Sequence, residues 1–428
     1  MPDVRPTHRS PWLWVPTLYV AEGLPYVVVM TVSVILYKGF GVSNTDIALT
    51  TSWLYLPWVI KPLWSPVVDL LGTRRRWIWT TQLVVGAALA GVALAVPVPH
   101  FLRWTLAFFW LLAFDSATHD IAADGFYMLA TTEREQAFFV GVRSLFYRVA
   151  TIAGQGLLVM LAGTIQSRTG DLRLAWSVAL GALGFLFLLF GLWHRFVLPC
   201  PAADRPGEAR RIPHFVRGFL GTFGSFFRKP RIAVLLLFLL LYRFGEAQLV
   251  KMVSPFLLDP RARGGLELTT TQLGFVYGTI GITALTLGGL LGGWVVSRQG
   301  LKAWLWPMLL AIHLPDAAFI YLAYAQPASL PVIQLCVAVE QFGYGFGFTA
   351  YLLYMIYISR GEHQTAHYAI CTGFMALGMM IPGMWSGWLH DHIGYRHFFV
   401  WVILATVPSF LVVLGIPLER GFGRKAEA

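Results

Sequence analysis

Residues 101–130 read FLRWTLAFFWLLAFDSATHDIAADGFYMLA. The run is apolar for long enough to cross a bilayer, which takes about 20 residues in a helix. Yet it contains Asp115, His119, Asp120 and Asp124. A charged side chain near the bilayer centre is costly, so such residues face protein or a water-filled path and mark a proton or solute route. Four-residue spacing puts Asp120 and Asp124 on one helix face, with Asp115 and His119 forming another such pair.

Composition places this stretch in a membrane. The 428 residues are 57% hydrophobic and only 12% charged, against roughly a quarter charged in soluble domains. The 31 Phe, 17 Trp and 16 Tyr suit lipid-facing surfaces and aromatic belts, so the lipid bilayer is the first expected partner. The formal net charge of +11 lies in short loops between apolar runs, which fits positive-inside topology and not nucleic-acid binding. Cys200, Cys336 and Cys371 are far apart and form no CxxC, so neither a disulfide framework nor a thiolate zinc site is expected. Met1 to Ser10 is polar and the first apolar run is long enough to span and stay, so no cleavable leader is expected.

By length and hydropathy the chain holds twelve spanning helices, near 12–37, 46–68, 77–98, 101–129, 136–164, 173–197, 231–257, 271–297, 301–324, 331–357, 364–389 and 396–417. One long polar segment, 198–230, carries Arg205, Arg210, Arg211, Arg217, Arg228 and Lys229 among four prolines. It reads as a linker between an N-terminal six-helix bundle, 1–197, and a C-terminal one, 231–428, with a short tail. The loop arginines and lysines concentrate on the side of the termini and linker, which places those in the cytoplasm. The halves echo one another weakly. Tyr127-Met128 recurs as Tyr354-Met355, and Tyr19 with Glu22-Gly23 recurs as Tyr242 with Gly245-Glu246. The fold class is therefore an all-α polytopic membrane protein of two pseudo-symmetric six-helix bundles, a layout common among secondary transporters.

Further polar residues fall inside the spans. Lys61 precedes Pro62 in helix two, Arg143 and Arg148 lie in helix five, and Arg243 lies three residues before Glu246 in helix seven. Glu22 and Glu340 are further acids at membrane depth. Guanidinium and ammonium groups suit an anionic solute, while carboxylates shifted by burial suit proton coupling. The alternative is that these charges pair among themselves and brace the bundle. Tyr26, Tyr55, Trp58, Trp64, Tyr147, Tyr242 and Tyr351 supply rings that either stack on a solute or pack. After helix two, Asp69 precedes Arg74-Arg75-Arg76, an acid and a basic cluster suited to a cytoplasmic gate. Gly288/Gly292 and Gly289/Gly293 have the small-xxx-small spacing of close helix contact.

Catalytic patterns are missing from the sequence. There is no GxxxxGK[ST] to cradle ATP phosphates, no HExxH and no GxSxG. His363 and His367, beside Glu362, read as a solvated helix start, so no metal, no cofactor and no enzyme activity are expected.

Taken together, Glu22-Gly23-Leu24-Pro25, Lys61-Pro62-Leu63-Trp64-Ser65-Pro66 with Asp69, Thr118-His119-Asp120-Ile121-Ala122-Ala123-Asp124-Gly125, Tyr147-Arg148 and Tyr242-Arg243-Phe244-Gly245-Glu246 resemble the AmpG-type permeases of the major facilitator superfamily. The acetyl-coenzyme A transporters are their relatives. The resemblance implies proton-driven import of anhydro-muropeptides by alternating access in a bacterial inner membrane. Its paired helix-four acids would fall on Asp120 and Asp124, and its helix-two lysine on Lys61. Phe126-Tyr127 replaces the Trp-Lys pair common in enterobacterial permeases. Gly125 after Asp124 is closer to the acetyl-coenzyme A branch, which stands as the alternative.

The expectation is a monomeric symporter for a small anionic solute and protons. Asp120, Asp124, Glu22 and Glu246 would handle protons. Lys61, Arg148, Arg243, His119, Tyr26, Trp58, Tyr147, Tyr242 and Glu340 would line the solute path, with Asp69 and Arg74, Arg75 and Arg76 at the gate.

Overall fold

The structure is a computed structural model, and it describes residues 9–205, 221, 223–361, 363–419 and 422–424. The side chains at 66, 67, 69, 70, 133, 137 and 365 lie outside that description. So do residues 206–220 and 222 of the expected linker, and Glu362.

Twelve long helices are present among the described residues. They are α1 (Pro11–Gly39), α2 (44–71), α3 (Arg74–Ala95), α4 (Phe101–Ala130), α5 (Arg134–Thr169), α6 (Leu172–Val197), α7 (Ile232–Leu258), α8 (Thr270–Gln299), α9 (Leu301–Ala325), α10 (Leu330–Ser359), α11 (364–393) and α12 (395–415). The last two run on from one another across Gly394, whose φ of 69° and ψ of 167° break the helix. Eight stretches, the last holding both α11 and α12, are long and apolar enough to cross a membrane by length and composition alone. The remaining helices are α2, α4 and α10, which carry Lys61, the Asp120/Asp124 pair and Glu340.

The helix starts follow from local chemistry. Thr73 caps α3 by accepting from the Arg76 amide at 3.1 Å, and Asp171 caps α6 by accepting from the Arg173 and Leu174 amides at 2.8 and 3.0 Å. Thr132 with Glu135, and Thr269 with Gln272, form reciprocal capping boxes ahead of α5 and α8. Several helices are broken in mid-course. Wider π turns occupy Val28–Val32, Ile152–Leu158 and Gly274–Gly281. α7 breaks at Arg243, with φ −113° and ψ 21°, and α9 tightens to a 3-10 turn over Leu314–Asp316 around Pro315.

By contacts the chain divides into two units, one of Met1–Ser33 with Ile60–Phe215, the other of Val34–Val59 with Val216–Ala428. In the first, α1 packs on α5 and α4, and α3 packs on α6 and α4. Its core gathers Trp14, Leu18, Ile78, Phe126 and Val197. In the second, α10 packs against α8 and α9, α7 packs on α11, and Asn44–Trp53 of α2 also packs on α11. A core of Phe238, Tyr242, Tyr351 and Tyr354 fills it, with the Phe238 ring 4.5 Å from Tyr354 and 5.4 Å from Tyr351. The small-residue spacing on α8 permits this closeness. A Cβ on Gly292 would stand 2.7 Å from Thr349 Oγ1, so any larger side chain would push α8 off α10.

Candidate functional site

In the first unit the fold brings α1, α2, α4 and α5 together around charge. Glu22, Asp120 and Asp124 each place a carboxylate oxygen within 4.8 Å of the others. Lys61 Nζ pairs with Asp120 Oδ2, and Arg143 Nη2 pairs with Asp124 Oδ1. The Tyr19 hydroxyl also donates to Asp124 Oδ1 at 3.3 Å, and the Arg143 guanidinium covers the rings of Tyr19 and Tyr127 at 4.3 and 4.5 Å. Glu22 differs from the two aspartates. Its Oε2 is closed off from solvent and makes no hydrogen bond among the described residues. Among the described residues three carboxylates therefore meet two cations, and Glu22 is the odd one.

The aspartates project together because they are one helical turn apart on α4. Glu22 joins them from α1, which packs along that helix. Here the three acids cluster, and two of them pair with basic residues on neighbouring helices.

His119 serves a different connection. It is 2% exposed, and its Nε2 lies 2.9 Å from Gln82 Nε2 on α3. Gln82 Oε1 lies 2.8 Å from His194 Nδ1 on α6, and His194 Nε2 lies 2.9 Å from Thr17 Oγ1 on α1. This chain of four ties α4, α3, α6 and α1 together. Asp115, one turn earlier, keeps its Oδ2 buried without a hydrogen bond among the described residues. Tyr147 lies against Gly23, where an added Cβ would stand 3.3 Å from its ring. Tyr26 on α1 and Arg148 on α5 are half-buried.

The Asp69 side chain falls outside the described residues, but the arginines that follow it are placed. The amides of Arg74 and Arg75, at the start of α3, hold the two oxygens of Asp204 at 2.8 and 3.0 Å. Arg75 also donates from Nε to the Leu198 carbonyl at 3.2 Å and from Nη2 to the Arg195 carbonyl. A carboxylate on a helix N-terminus answers the exposed amides and the helix dipole there. Asp204 was not singled out in the sequence, where it is one acid in a basic, proline-rich stretch.

In the second unit Glu246 and Glu340 come together with Asp316, again within 4.8 Å. Arg243, at the break in α7, donates from Nη2 to the Tyr344 hydroxyl and covers the Phe348 ring at 4.6 Å. The Tyr242 hydroxyl donates to the Gly347 carbonyl at 3.0 Å, so this tyrosine is a fully buried brace between α7 and α10. Trp58 is half-buried on α2. Lys251, 5% exposed, donates to Thr51 Oγ1 at 3.0 Å and stands 5.6 Å over Tyr55. Asp316 and Lys251 were both missed. The signal was available in principle, as each is an ionisable residue within an apolar run.

A polar latch fastens Val34–Val59 within the same unit. Lys38 Nζ pairs with Asp259 Oδ1 at 2.7 Å, and the Tyr395 hydroxyl donates to Asp259 Oδ2 at 2.6 Å. Asn44 Nδ2 donates to the Tyr395 hydroxyl at 3.2 Å, and Thr45 Oγ1 donates to Asp391 Oδ2 at 2.5 Å.

Comparison with known proteins agrees with this architecture. The Major Facilitator Superfamily profile matches residues 18–354. The chain is similar to the anhydromuropeptide permease of Escherichia coli K12, 24% identical over 83% of this chain and 70% of the relative. It is also similar to putative transporter AmpG 4 of Rickettsia conorii, 23% identical over 93% and 94%. Among solved structures it resembles the D-xylose-proton symporter, with a TM-score of 0.68 at 13% identity over 94% and 98% of the two chains. The nucleoside transporter NupG gives 0.67 at 14% over 95% and 99%. With twelve long helices among the described residues and a profile match over most of its length, the chain belongs to the major facilitator superfamily.

Proposed function

We propose that this transporter imports an anionic cell-wall fragment, such as GlcNAc-anhydroMurNAc or its peptides, together with protons and by alternating access. The observation that carries the coupling is the imbalance of three carboxylates against two cations on α1, α2, α4 and α5. Three ionised carboxylates this close repel one another, and two cations neutralise only two of them. A proton on Glu22 completes the balance when the pairs are intact. Incoming solute anions would compete with Asp120 for Lys61 and with Asp124 for Arg143, freeing carboxylates to take protons. Arg148 and Arg243 would hold further negative groups. The likeness to the anhydromuropeptide permease supports the solute class. On this reading the protein works as a monomer in the bacterial inner membrane, with both termini and the 198–230 linker in the cytoplasm.

The test is uptake of labelled GlcNAc-anhydroMurNAc by proteoliposomes, with and without an inward proton gradient. Saturable accumulation that collapses with the gradient is expected. Uptake indifferent to the gradient would overturn the coupling, and no uptake by folded protein would overturn the solute.

A further inference from the structure

The second carboxylate cluster has no place in the proton-coupled reading of Glu22. Glu246 lies in the first turn of the Phe244–Leu258 segment of α7, Asp316 in the 3-10 turn where α9 breaks, and Glu340 within α10. They are 0%, 1% and 1% exposed. Gln341 donates to both Glu340 oxygens, at 3.3 and 3.0 Å. Both oxygens of Glu246 and both of Asp316 are closed off from solvent, with no hydrogen bond among the described residues. A buried acceptor is ordinarily satisfied, and here four belong to two carboxylates of one cluster.

Charge sharpens the question of what they meet. Among the described residues Arg243 is the cation that acts on Glu246, and Tyr277 on α8 faces Glu246 and Glu340. Lys251 is turned to Thr51 instead. With all three ionised, one guanidinium against three carboxylates among the described residues leaves a surplus of two negative charges. Glu246 and Asp316 stand at the N-terminal ends of helical segments, which offsets part of that surplus but not a full charge each.

The spacing suits a cation. Three carboxylates that each bring an oxygen within 4.8 Å of the others can close on one cation, and a site shut off from solvent suits calcium better than magnesium, which usually keeps several of its waters. Na⁺ is close to Ca²⁺ in size and takes the same hard oxygen ligands. We infer that Glu246, Asp316 and Glu340 form a binding site for one small hard cation of that size, Ca²⁺ or Na⁺. Discontinuous helices hold ions in this way, and the bound cation would fasten the breaks in α7 and α9 to α10.

The site is tested without transport, so its failure is separable from failure of the muropeptide reading. Purified full-length protein in detergent is unfolded thermally at pH 8 in CaCl₂, NaCl, MgCl₂ or choline chloride at matched ionic strength. A saturable rise in the midpoint of about 4 °C or more is expected with Ca²⁺ or Na⁺ at a hundredfold excess over its dissociation constant, and none with choline. A response to one ion alone identifies the cation. Asp316→Asn and Glu246→Gln are each expected to weaken the response at least tenfold. In choline chloride Asp316→Asn should unfold no earlier than the wild type, because it removes a repelling charge. Superimposable wild-type curves in all four salts would overturn the site, and so would a response undiminished in both variants. If one variant fails to fold, the wild-type salt series and the other variant still decide.

Discussion

Arg143 on α5 pairs with Asp124 on α4, and the same guanidinium lies over the Tyr19 and Tyr127 rings at 4.3 and 4.5 Å. A cation held both by a carboxylate and by two aromatic faces is well placed to stay when its carboxylate lets go. That is the property an exchange between an internal pair and a solute anion requires.

Glu22→Gln separates coupling from binding. Because Glu22 is the member of its cluster without a basic partner, its neutralisation should abolish gradient-driven accumulation while exchange of internal for external solute continues. Asp124→Asn strands Arg143 and should reduce both. Equal loss of accumulation and exchange in Glu22→Gln would remove it from the coupling role.

Lys61→Met leaves Asp120 without its partner in a site where the two side chains are 24% and 21% exposed. Removing one member of a fully buried pair costs about 3–5 kcal/mol, and partial exposure reduces this to about 2 kcal/mol. The double variant Lys61→Met with Asp120→Leu should recover most of the thermal midpoint lost by the single one. A double variant no more stable than Lys61→Met would show that the pair does not act as a unit.

Gln82→Leu tests the His119–Gln82–His194–Thr17 chain as a brace. Both ring nitrogens facing Gln82 would be left buried without a partner, at a cost of about 2–3 kcal/mol. The thermal midpoint should fall while the apparent affinity for solute is unchanged in the protein that remains folded. A change in affinity at constant stability would return His119 to the solute path.

Gly387→Leu should open the latch that holds Asn44–Trp53. An added Cβ there falls on the Asn44 carbonyl and 2.8 Å from the Thr45 nitrogen, so the two helices must part. Thiol labelling of Thr51→Cys, a position that is fully buried, should rise in this background once native cysteines are replaced. Unchanged labelling would mean that the contact yields without separation.

The helices were legible because membrane length and apolarity are written along the chain. The span expected at 101–129 is found as Phe101–Ala130, and the one at 173–197 as Leu172–Val197. The Asp120/Asp124 face followed from helical period alone. So did the small-residue contact at Gly288 and Gly292, where only backbone-close packing explains the spacing.

What the tertiary structure decided is which charges meet. Four-residue spacing put Asp120 and Asp124 on one face, but their pairing with Lys61 and Arg143 depends on the rotation of α2 and α5 about their own axes. His119 adjoins Asp120 in sequence and turns to Gln82, because neighbours on a helix point about 100° apart. Asp316 joined Glu246 and Glu340 only because α7 and α9 break where they do. Hydropathy and period are properties of one segment. The partner of a buried charge is a property of several segments packed together, and no single stretch of the chain encodes it.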